Sequence, residues 1–144
     1  WLHRVSLLLA VGTVLLIAKG GLVHSAGAGL SVPDWPTTYG ENMFTYPVAK
    51  WTGGIFFEHV HRLIASVIGM IMIVVAVWTW VVDDRRWLKR LTAGALLAVI
   101  VQGILGGMTV LMQLPPAVSI GHALLAQSFT RRRAIAHSAF HAQV

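Results

Sequence analysis

Long apolar runs separated by short polar punctuation dominate the chain, and their lengths decide what they are. Val5 to Val23 is apolar almost throughout, broken late by Lys19 and Gly20-Gly21. At about 19 residues and roughly 1.5 Å of rise each, it reaches across a bilayer's hydrocarbon core as one helix. It is too long for a signal peptide and lacks the small-residue cleavage pattern of one. Leu63 to Val82 and about Leu91 to Met112 have the same reach, and the second span is entered at His61. A fourth run starts near Ala117 but meets Arg131-Arg132-Arg133 after only about 13 residues, short of a full crossing. The pattern predicts four helices and no strands.

Between the first and second runs the character changes. Gly27, Gly29, Pro33, Pro36, Gly40, Pro47, Gly53 and Gly54 break any long helix from His24 to Glu58. A loop of about 30 residues is uncommon unless it serves as a lid or binding segment. Its Trp35, Tyr39, Tyr46 and Trp51 suit a membrane interface, so residues 24–58 are expected to cap the outer face. Arg85, Arg86, Lys89 and Arg90 between the second and third spans, with Arg131 to Arg133 after the fourth run, mark the inner side. The cap and the Pro115-Pro116 turn then lie outside, which puts His61 and His122 at similar depth near the outer face. An internal echo agrees: Lys19-Gly20-Gly21-Leu22-Val23 ends one span and Gly106-Gly107-Met108-Thr109-Val110 another, each followed by a proline-containing connection and a histidine-bearing helix. Two such hairpins related by an axis along the membrane normal would turn the histidines toward each other.

Composition supports this reading. The chain is 56% hydrophobic and 11% charged, with a mean hydropathy of +0.73, whereas soluble domains carry about 25% charged residues. An all-α integral membrane protein follows, because buried backbone in lipid must satisfy itself within helices. Residues 1–130 are read as one four-span unit, and 131–144 as a basic tail, aberrant or truncated. The absence of cysteine excludes disulfides, thiolate metal sites and iron-sulfur clusters within this sequence. The net charge of +6 sits in clusters beside apolar runs, which points to lipid rather than nucleic acid.

The chemistry concentrates at Phe57-Glu58-His59-Val60-His61-Arg62, at the mouth of a span. Ionisable groups there are costly and usually face a bundle interior or hold a ligand. On a helix Glu58, His61 and Arg62 share a face, while His59 points away and is expected to be an exposed interfacial histidine. Two neutral imidazoles, His61 and His122, on facing helices in an apolar bundle are what axial ligation of a haem iron requires. Arg62 is then the first candidate for the haem propionates, with Lys19 and His24 behind it. The alternative is that both histidines make interhelical hydrogen bonds. His137 and His141 are expected to be incidental. The sequence contains no zinc-protease His-Glu-x-x-His, no phosphate-binding loop and no nucleophile elbow.

Taken together, Gly20 to Val23, Gly27 to Pro36, Glu58 to Arg62, Gln102 to Val110, Leu114-Pro115-Pro116 and His122 to Gln127 resemble the haem A synthase family, over about Val5 to Gln127. The resemblance implies oxidation of the C8 methyl of haem O to the formyl group of haem A, for cytochrome oxidase, in the plasma membrane. It implies an eight-helix, pseudo-symmetric fold of two four-helix halves, each with a histidine pair; this chain matches the amino-terminal half. His61 and His122 correspond to the pair proposed to ligate the substrate haem, a haem b belonging to the other half. Glu58 matches a family glutamate that would tune charge, stabilise a cationic intermediate or relay protons. Glu58, His61 and His122 are thus the candidate catalytic residues. The implied partners are haem O, the bilayer, an electron donor and haem O synthase. Competing readings are a bis-histidine b-type cytochrome that only passes electrons, and an inactive haem-binding fragment or carrier.

Overall fold

The computed structural model describes the backbone of residues 2–141 and the side chains of residues 4–128. Among the described residues there are four α-helices: α1 (Leu2–Ser25), α2 (Gly53–Val82), α3 (Arg86–Leu111) and α4 (Pro116–His141). A short 3-10 turn, Val48–Lys50, interrupts the long loop. Among the described residues, α1 from Arg4, α2 and α3 are long and apolar enough to cross a membrane. The His137 and His141 side chains lie outside the described residues.

Helix ends follow local chemistry. The α1 helix outlasts its apolar run by two residues and stops before Gly27, whose φ of 63° suits glycine; Ala28 N–H returns to the Val23 carbonyl at 2.9 Å. The α2 helix starts at Gly53, two turns ahead of the expected entry at His61. The two glycines read as a breaker serve different ends: Gly53 takes a φ of 52°, and a methyl on Gly54 would overlap the Ser31 hydroxyl. At the opposite end, the Asp83 carboxyl is pulled down to about 2 by its bonds from the Arg85 side chain and backbone. The α3–α4 turn puts Gln113 and Leu114 at φ 57° and 58°, a left-handed pair unusual for non-glycine residues. Pro116 then opens α4, where its missing N–H costs nothing.

One apolar cluster lies away from the loop, while Ala28, Val32 and Tyr46 are buried within the loop. Leu9, Met72 and Val75 pack with Val5, Ile68, Ala95, Leu96 and Val99, joining α1, α2 and α3. Most other large apolar side chains face outward, Leu8 at 71% and Val81 at 79% exposure, as lipid-facing surfaces do. The histidines lie nearer the loop end of the bundle.

Candidate functional site

His61 on α2 lies against α1 at Gly20, where a methyl would come within 3.1 Å of its Cε1. His122 on α4 lies against α3 at Gly106, where the corresponding distance is 3.2 Å. The two contacts repeat each other closely, and they fall on the glycines of the internal echo. Each ring is only partly exposed, and each Nδ1 is buried without a hydrogen-bond partner. From below, Gln102 on α3 donates its Nε2 to the His122 carbonyl at 2.9 Å, and its Oε1 is buried without a partner. Sequence reasoning assigned Gln102 no role at the site; a lone polar residue in an apolar run is the signal that marks it.

Glu58 and Arg62 do a different job, turned to the loop. Glu58 is 3% exposed; it accepts Arg62 Nη2 at 2.5 Å and the Val32 N–H at 2.9 Å. Arg62 also donates to the carbonyls of Val32 (2.8 Å), Asp34 (2.6 Å) and Thr37 (3.2 Å). Both terminal nitrogens of the leading propionate candidate are therefore engaged by protein. Asp34 in turn accepts the N–H groups of Tyr39 and Gly40, both at 2.8 Å, and the Thr37 hydroxyl. Burial alone would raise its carboxyl, but these donors outweigh it and hold Asp34 below the usual carboxylate range.

His59 is not the exposed interfacial residue that helical geometry suggested. It is fully buried, its Nδ1 3.1 Å from the buried Thr38 hydroxyl and its ring packed on Tyr46 and Trp51 at 5.3 and 4.7 Å between centroids. The interface expected to expose His59 is covered by the loop. Lys19 is half-buried with its ammonium 5.0 and 4.9 Å from the Phe56 and Phe57 ring centroids, on the residue before His61's glycine. His24 is exposed on the last turn of α1.

The profile of the cytochrome oxidase assembly protein family matches residues 45–137, which include both histidines of the pair. The chain belongs to that family. Its curated relatives are heme A synthases. That of Shewanella oneidensis is 31% identical over 142 residues, covering 86% of this chain and 40% of the relative. That of Alkalihalophilus pseudofirmus is 29% identical over 103 residues, covering 70% and 33%. That of Halalkalibacterium halodurans is 29% identical over 124 residues, covering 85% and 38%. The chain thus spans a third to two fifths of the length of these relatives. No solved structure matches it.

In this haem A synthase family member, the matched segment holds Glu58, His61, Arg62, Gln102, Gly106 and His122; Lys19, Gly20 and Trp35 precede it. Two imidazoles with buried, unpartnered Nδ1 atoms are donors of the kind a haem iron accepts. Two imidazoles without hydrogen-bond partners fall short of the three or four protein ligands a bare ion takes, and among the described residues no group of three or more His, Cys, Asp or Glu gathers. A porphyrin brings the remaining donors itself.

Proposed function

We propose that the chain is the substrate-haem half of a haem A synthase, acting in the oxidation of the C8 methyl of haem O to a formyl group. The observation that carries this is the repeated seat of His61 on Gly20 and His122 on Gly106, with both Nδ1 atoms unpartnered. In this reading the four helices form one half of an eight-helix, pseudo-symmetric enzyme of the plasma membrane, the loop facing outward. His61 and His122 hold the iron of haem O. The glycines let each ring lie flush with the neighbouring helix, so neither imidazole turns freely. Lys19 supplies a cation beside His61 for a haem propionate, in exchange for its contacts with Phe56 and Phe57. Arg62 is occupied with the loop, and His24 is a weaker partner at the rim. Glu58 places a carboxylate one turn from His61. The loop packed over Glu58 and Arg62 keeps water from that end of the bundle. An external donor, haem O synthase as the source of haem O and a haem b in a second half complete the implied system.

The test is pigment extraction from membranes of cells that lack their own haem A synthase, express this chain and are supplied with haem O. Haem O captured and returned as haem A, with both steps lost in His61→Ala and His122→Ala, is the expected result. Haem returned unmodified moves the chain to the b-type cytochrome or carrier readings. Capture that survives both substitutions removes the histidine pair from the site.

A further inference from the structure

The hairpins α1–α2 and α3–α4 each bring one histidine, so the distance between the rings depends on what ties the hairpins together. The core cluster joins α1, α2 and α3 at the end away from the histidines. At the loop end the loop itself makes the tie, at two places. A methyl on Gly29 would sit 3.3 Å from the Leu114 side chain in the α3–α4 turn. On α3, a methyl on Gly107 would fall 2.5, 2.7 and 2.8 Å from Cδ2, Cε2 and Cε3 of Trp35, so the indole rests directly on the backbone there. The residue before Gly107 is Gly106, the seat of His122.

Trp35 is held from behind by the other histidine's helix. Its neighbour Asp34 gives its carbonyl to Arg62, and Val32 is bound through both N–H and carbonyl to Glu58 and Arg62. A continuous path of contacts therefore runs from α2, at Glu58 one turn before His61 and Arg62 directly after it, through the buried ion pair and the loop to the indole, and onto α3 beside the seat of His122. An aromatic ring suits this span because it is large, flat and has few rotors to freeze.

We infer that Trp35 is a positioning residue: seated on Gly107 and anchored by Glu58 and Arg62, it sets the separation of the two histidine-bearing hairpins. Its consequence for haem rests on the reading proposed above; its geometry does not. The chain has no cysteine, so Val67→Cys and Ile120→Cys, at lipid-facing positions on α2 and α4, give a clean pair of spin labels. The pair is carried on the protein without haem. Trp35→Phe is expected to keep the wild-type distance distribution. Trp35→Ala and Gly107→Ala should broaden or shift it, whereas Gly103→Ala, which meets open space, should leave it unchanged. With haem O bound, wild type and Trp35→Phe should show the six-coordinate low-spin spectrum, and Trp35→Ala and Gly107→Ala should lose it. A wild-type distance distribution in Trp35→Ala overturns the inference. Failure of the wild type to bind haem overturns the functional reading alone, since the label distances still decide the brace.

Discussion

Replacing Arg62 with methionine keeps an aliphatic stem in α2 and deletes the guanidinium. The substitution removes the 2.5 Å ion pair with Glu58 and the donations to the Val32, Asp34 and Thr37 carbonyls. Glu58, 3% exposed, would keep only the Val32 N–H at 2.9 Å. Removing one partner of a buried ion pair costs about 3–5 kcal/mol, because the remaining charge is left unpaired. At tenfold per roughly 1.4 kcal/mol, the opening equilibrium of the loop should rise by about a hundredfold to a few thousandfold. Hydrogen exchange read by mass spectrometry in nanodiscs measures this at the amides of Val32, Tyr39 and Gly40, which are bonded to Glu58 or Asp34. The paired substitution Glu58→Gln with Arg62→Met should recover part of the loss, since no buried charge is then unpaired. Lys50→Met removes the ion pair with Glu41, whose partners are 53% and 44% exposed, and should change little because water screens such pairs. Exchange in Arg62→Met that matches wild type would show that the loop is held by something else, and the brace assigned to Trp35 would lose its anchor.

Two further outcomes follow from the geometry. Gly20→Ala and Gly106→Ala place a methyl 3.1 and 3.2 Å from an imidazole carbon; each should shift the optical spectrum of bound haem and lower thermal stability by about 1–3 kcal/mol. Gly21→Ala, which meets nothing within 4 Å, serves as the neutral control. Asp34 titrates below the ordinary 3.8 in the folded loop, so it adds stability above that pH and loses it as pH falls through its lower folded value. Loop unfolding followed by tryptophan fluorescence in denaturant should therefore weaken on that acid limb in wild type, and Asp34→Asn should be weaker throughout with the limb flattened.

The apolar runs made the helices legible, because the length and hydropathy of a membrane-crossing segment are properties of consecutive residues. His61 and His122 were legible for a related reason: a polar group in an apolar run is conspicuous wherever the run folds. The echo of Gly20 and Gly106 hinted at two equivalent hairpins, but only packing showed that each glycine is the seat of a ring. Tertiary structure alone decided what the loop does. Gly53-Gly54 reads as a helix breaker, yet it opens α2, with Gly53 at a φ of 52° and Ser31 filling the space over Gly54. His59 reads as exposed from helical spacing, yet Thr38, Tyr46 and Trp51 bury it. Arg62 reads as a cation free for a ligand, yet it holds three loop carbonyls 25 to 30 residues away in the chain. Periodicity reports which face of a helix a residue occupies; what covers that face depends on chain closure between residues far apart in sequence, and that is set by the folded backbone.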